Sequence, residues 1–294
     1  MTLPPRLGSW KRAMFSAAWT LFSGEMSLVS AGCAFYATLA IFPAITTLIS
    51  LYGLIFNPSS VEPQLIYLRH FMPPATFQLI AGRIQQVVSR GNATLGIGLT
   101  VSLLFTLYSA ASGTKSLIYA LNVIHKKEES RSILKFQLVT LGMTLLTILG
   151  AILALGVLVV LPIIFAFFGF GSDSANLALV IGFILLLGFM GLALGLLYRY
   201  GPSFRRSPRE GRHVIVPGTL LAVVFWLLLS YFFALYVGRF AAYSATYGPL
   251  ATIIGLMMWF YLTAYTVLFG ALFNASLDQE ASSAVDQKAV AQAP

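Results

Sequence analysis

No residue between Glu25 and Glu62 carries a charge. About 20 apolar residues already cross the roughly 30 Å hydrocarbon core of a bilayer, so this stretch is long enough to span it. Five more uncharged runs follow, at 91–114, 136–172, 174–198, 213–238 and 240–277. A soluble fold has no way to hide six helices that are apolar on every side. With 58% hydrophobic and 9% charged residues, the composition lies far from that of soluble domains. The chain is therefore expected to be all-α, a polytopic membrane protein with six transmembrane helices near 29–56, 95–121, 136–168, 177–198, 214–237 and 250–275. The third run is longer than one span needs, which implies tilt or projection beyond the membrane.

The distribution of basic residues orients these spans. Fourteen of the 18 Lys and Arg residues fall on one side, in three clusters: Arg6 to Arg12, Lys115 to Lys135 and Arg199 to Arg212, with Lys288 at the end. Arg69, Arg83, Arg90 and Arg239 fall on the other. By the positive-inside rule both termini are cytoplasmic. The net charge of +9 then reads as orientation and contact with anionic headgroups on the cytoplasmic face, and nucleic acid is not expected as a partner. Membrane lipids are; a homo-oligomer and envelope partners stay open.

Three regions follow from the pattern. Residues 1–28 are expected to form a cytoplasmic interfacial helix, with Trp10, Met14, Ala18 and Phe22 at helical spacing and Phe15 and Trp19 beside them, or equally a short extension packed on the bundle. Residues 29–275 form the six-span membrane domain, which includes an outer-face loop at 57–94. In that loop Phe77, Ile80 and Ile84 make an apolar stripe that fits either a cap or a lid. Residues 276–294 read as a disordered cytoplasmic tail.

Few residues offer chemistry. His70, His125 and His213 lie in loops or at span ends without an HExxH or CxxC partner. No P-loop appears, and all nine acids lie outside the central parts of the spans. Cys33 is the single cysteine. No catalytic residue, cofactor or metal is expected, and the HKKEESR stretch at 125–131 reads as a solvated interface turn. Pro43, near the centre of the first span, fits a structural bend or a hinge equally. In YSAASGTK at 108–115 the small residues fit close helix packing, or the wall of a polar cavity. Lys115 and Arg199 would snorkel to the cytoplasmic interface.

These stretches occur in an order that resembles a known family. GCAFYATLAIFP in span one, YSAASGTKSLIYALN in span two and LYRYGPSFR after span four are followed by VPGTLLAVVFW in span five and YGPLATIIGLMMWFY with GALFNA in span six. Together they are similar to the YihY/BrkB family of bacterial inner-membrane proteins, over roughly residues 25–276. The resemblance implies six spans, cytoplasmic termini and residence in the inner membrane. Transport or lipid translocation is suspected for such proteins, and an older ribonuclease label is regarded as a misassignment. Carried onto this sequence, and joined to the candidates above, it gives a substrate pathway of Tyr36, Pro43, Tyr108, Ser109, Ser112, Lys115, Asn122, Arg131, Arg199, Tyr247, Trp259 and Asn274. Family members often have Arg where Ser112 stands and Glu where Leu272 stands, which implies that the two positions approach one another. The leading expectation is a transporter of an amphipathic or lipid-like substrate that uses no ATP. A polar-solute exporter and a non-transporting envelope scaffold are the alternatives.

Overall fold

The computed structural model describes residues 7–22, 24–55, 92–157, 161, 165, 172–203, 215–239 and 249–291. All secondary structure among them is helical: α1 (Leu7–Leu21), α2 (Gly24–Ile55), α3 (Asn92–Ile124), α4 (Ile133–Leu155), α5 (Ser172–Tyr200), α6 (Val216–Arg239) and α7 (Pro249–Ala291). Helices α2 to α7 each contain a stretch long and apolar enough to cross a bilayer: Gly24–Leu48, Gly96–Ile124, Ile133–Ala154, Asn176–Tyr200, Val216–Val237 and Leu250–Glu280. Six spans are thus present, most with ends a few residues from those expected. Tyr247 lies outside the described residues, as does the expected loop at 57–94 except for its last three residues, which open α3.

The chain divides into two compact units, Tyr36–Ala110 and the remainder. In the larger unit α7 is the central element and packs most extensively on α6 and α1, while α5 packs on α4 and α6. Ile118 and Leu121 of α3, Leu197 of α5, Ala222 of α6 and Leu268 and Phe273 of α7 form its buried core. Outside that core the helices stay apolar. On α4, Leu138, Leu141, Leu145, Leu149 and Ile152 are all exposed, at the i, i+3/i+4 spacing of one helix face. An apolar surface of this extent belongs in lipid.

Helix α1 turns its small residues inward. Ala13, Ala17 and Leu21 are buried, whereas Phe15, Trp19 and Phe22 stand out at 73–80% exposure. Trp10 meets Phe273 edge-on at 5.7 Å, and the Arg12 guanidinium holds Glu280 of α7 through two hydrogen bonds of 3.0 and 2.8 Å. The disordered tail expected from residue 276 is therefore corrected. Helix α7 continues to Ala291, and the last turns of its span, with Leu277 buried and Glu280 paired, gain α1 as a tertiary partner that the polar composition did not reveal.

The smaller unit contains the rest of α2 and α3. Helix α2 runs through Pro43 without interruption. Proline removes one backbone donor, and nearby hydroxyls bond the backbone beside it: Thr46 Oγ1 donates to the Phe42 carbonyl at 3.1 Å and Thr47 Oγ1 to the Pro43 carbonyl at 2.8 Å. Thr47 also reaches Ser102 Oγ of α3 at 3.0 Å.

Candidate functional site

Three features of the larger unit organise its polar residues: a clasp, a helix junction and a groove. The clasp begins where α3 stops. Lys126 adopts a left-handed conformation, φ 53°, and the Lys127 N–H reaches back to the Asn122 carbonyl at 2.9 Å. That closes the helix end in the way a glycine cap usually does. The reversal brings Glu129 back onto Asn122, whose Nδ2 donates to Glu129 Oε2 at 3.0 Å. Asn122 Oδ1 accepts the Ser203 N–H at 2.7 Å, and Ser203 Oγ accepts the Ser130 N–H at 3.0 Å.

Arg131 completes the clasp. Its Nε and NH2 grip Glu129 at 2.7 and 2.6 Å, the planar two-point geometry to which a guanidinium is suited. NH1 and NH2 also donate to the carbonyls of Tyr200 and Gly201, at 3.1 and 2.8 Å. These carbonyls end α5, where a cation meets the negative end of the helix dipole. The Arg131 side chain is only 10% exposed and lies over the Phe136 ring at 5.6 Å. The reading of residues 125–131 as a solvated turn is thus corrected at Glu129 and Arg131. They tie α3, α4 and α5 together.

Hydrogen bonding from Arg131 is the main reason that the Glu129 carboxyl is held down to about 2. A carboxylate depressed in the folded state stabilises the fold above its unfolded value and loses that contribution as pH falls through its folded one. Thermal stability of the detergent-extracted protein is expected to decline between about pH 4.5 and pH 2, and Glu129→Gln should flatten that part of the profile. A profile in Glu129→Gln identical to wild type would show that another group governs the transition.

The helix junction joins α5, α6 and α7. Asn274 Oδ1 accepts the Gly218 N–H at 2.7 Å and its Nδ2 donates to the Ile215 carbonyl at 3.0 Å. Asn274 thereby satisfies a donor in the first turn of α6, where Pro217 contributes none. Gly218 and Gly270 lie backbone to backbone: a Cβ on either would fall onto the carbonyl of the other. Tyr198 Oη donates to the Val267 carbonyl at 2.6 Å beside them.

The groove lies between α2 and α3. Leu28, Val29 and Gly32 line one side and Lys115, Ser116 and Tyr119 the other, around about 360 Å³. Its floor is narrow. A Cβ on Gly32 would meet Ser116 Oγ at 3.7 Å, and the Cys33 thiol points to the Gly113 carbonyl, also at 3.7 Å. Its mouth is open, with Leu28 at 74% and Tyr119 at 57% exposure. Ser116 Oγ donates to the Ser112 carbonyl at 3.2 Å. Among the described residues no carboxylate lies within ion-pair distance of Lys115.

The profile of the family described as Virulence factor BrkB matches residues 21–293. The chain belongs to the BrkB family. Among BrkB relatives, the ribonuclease-like protein YfkH of Bacillus subtilis is 28% identical over 277 residues, covering 92% of this chain and 95% of its own. The UPF0761 membrane protein YihY of Shigella sonnei is 30% identical over 222 residues, 73% of this chain and 71% of its own. A UPF0761 membrane protein of Aeromonas salmonicida is 27% identical over 275 residues, 89% and 87% of the two chains. No solved structure matches. With six apolar helices, this BrkB protein is a multi-pass inner-membrane protein.

The sequence candidates separate into distinct places. Asn122 and Arg131 belong to the clasp, Asn274 to the junction and Lys115 to the groove, with Ser112 one turn from it. Trp259 packs edge-on against Trp226 at 6.2 Å. Arg199 is exposed, with its guanidinium over the Tyr200 ring at 5.5 Å. Tyr36, Pro43, Tyr108 and Ser109 fall in the smaller unit, Tyr108 exposed and Ser109 buried. Sequence reasoning missed Glu129, Ser130 and Ser203 of the clasp and Leu28, Val29, Gly32 and Tyr119 of the groove. The one available signal was spacing: residues 28, 29 and 32, and residues 115 and 119, each share a helix face.

Proposed function

We propose that this BrkB protein moves an amphipathic, lipid-like substrate between membrane leaflets without ATP. The lateral opening of the α2–α3 groove carries this reading. A lipid can enter from the bilayer plane, place its polar end beside Lys115 and keep its chains among the exposed apolar side chains of the mouth. With both termini cytoplasmic, as the loop charges imply, the groove meets the cytoplasmic leaflet. A cation within a membrane helix is costly unless it is used or reaches the interface, and Lys115 has a long stem with which to do so. The reading gives no catalytic role to Glu129, whose carboxylate is committed to Arg131 and Asn122.

The test is fluorescent-lipid translocation in liposomes that contain the purified protein, with dithionite destroying outer-leaflet fluorescence. Quenching beyond the outer-leaflet share, relative to protein-free vesicles, is the expected result. Quenching that stops at that share would overturn lipid movement and favour the polar-solute exporter or the scaffold.

A further inference from the structure

We infer that the α2–α3 groove recognises the phosphate of a phospholipid headgroup through Lys115 and Tyr119, and so selects phospholipids over neutral lipids with the same chains. The inference rests on the lateral-entry reading above and adds to it the chemical class of the substrate.

Three observations carry it. Lys115 and Tyr119 are one helical turn apart on α3 and line the same groove, so an ammonium and a phenol hydroxyl can meet one phosphate together. Lys115 is nine residues before the end of α3 at Ile124, about 13 Å along the helix axis. It therefore lies inside the span Gly96–Ile124, yet its long side chain can extend toward the boundary. Third, the nearest acid on the facing helix does not neutralise it. Glu25 shares the α2 face of Leu28, Val29 and Gly32, one turn nearer the helix start, but lies beyond ion-pair distance of Lys115 and is exposed. Among the described residues the groove thus presents a positive charge without a counter-charge, beside the apolar side chains of Leu28 and Val29.

The occupant is taken to be a lipid because of what surrounds that charge. Leu28, exposed at the mouth, and Val29 give acyl chains a surface, whereas a free phosphate would gain nothing from it. Ser116 is already donating its hydroxyl to the Ser112 carbonyl, which leaves Lys115 and Tyr119 as the side-chain donors of the groove. Ammonium–phosphate hydrogen bonds are charge-assisted and stronger than neutral ones, so discrimination rests chiefly on Lys115.

The test uses the full chain in detergent micelles with two fluorescent probes of equal acyl length, phosphatidylglycerol and diacylglycerol. Phosphatidylglycerol is expected to bind at least about tenfold more tightly. Lys115→Gln should abolish most of that preference, Lys115→Arg should retain it and Tyr119→Phe should weaken it by a few-fold. Inorganic phosphate at millimolar concentration should not displace the probe. Equal binding of the two lipids, an unchanged preference in Lys115→Gln, or displacement by inorganic phosphate would each overturn the inference. Binding and movement separate cleanly. A Lys115-dependent preference in a protein that moves no lipid in vesicles supports the site and removes the transport reading, while lipid movement without any phosphate preference removes the site and leaves that reading in place.

Discussion

Gly218→Ala is expected to lower the amount of folded protein in the membrane severalfold. The new Cβ would fall onto the Gly270 carbonyl and the Asn274 amide. Neither can swing away, because the first is backbone and the second is held between Gly218 and Ile215. Relief requires α6 to retreat from α7, where α7 makes one of its two main contacts. Overpacking of this kind costs about 1–3 kcal/mol, and the stretched Asn274 bond adds on the order of 1 kcal/mol. Gly188→Ala is the control, since a Cβ there meets nothing within 4 Å. Membrane abundance and the thermal midpoint after extraction measure both. Equal behaviour of the two variants would mean that α6 and α7 do not approach closely at this point.

Arg131→Ala ranks second. The substitution withdraws the donors from the Tyr200 and Gly201 carbonyls and leaves Glu129 with Asn122 as its remaining side-chain donor. Because the Glu129 side chain keeps 30% exposure, water screens its charge, and the loss of about 1–3 kcal/mol comes mainly from the two carbonyls that lose a charged donor. Arg131→Lys should rescue little, since an ammonium cannot bridge a carboxylate and two carbonyls in one plane. The thermal midpoint reads the loss. A full rescue by lysine would show that charge alone, without the fork geometry, holds the end of α5.

The six spans were legible because uncharged runs of this length have one stable environment, and the basic clusters between them gave an orientation. Local pattern was informative where one element decides the outcome, as with the exposed aromatic residues of α1. It failed where a distant partner decides. The polar residues after 276 read as a tail, yet Arg12 of α1 holds Glu280 and the helix continues to Ala291. HKKEESR read as solvated, yet the clasp depends on Ser203, 73 residues away from Ser130. Neither partner is visible from composition.

The candidate site shows the same division. Asn122, Arg131 and Asn274 were singled out as pathway residues because they are polar and match the family pattern. In the fold their hydrogen-bonding groups are engaged by backbone and side chains of neighbouring elements, which makes them ties between helices. Lys115 also came from the sequence. Its surroundings did not, because a groove forms between two helices and no single helix encodes it. Gly32, which keeps that groove from being filled, has no signature beyond its lack of a side chain.

Filling the groove tests lateral lipid entry most directly. Wild type and Gly32→Phe, reconstituted at equal protein density in the same fluorescent-lipid vesicles, would be exposed to dithionite side by side. Entry through the groove requires wild type to quench beyond the outer-leaflet share and Gly32→Phe to fall back to protein-free vesicles while remaining folded. A folded Gly32→Phe that quenches as fully as wild type would place the lipid path elsewhere, and the groove would have no part in it.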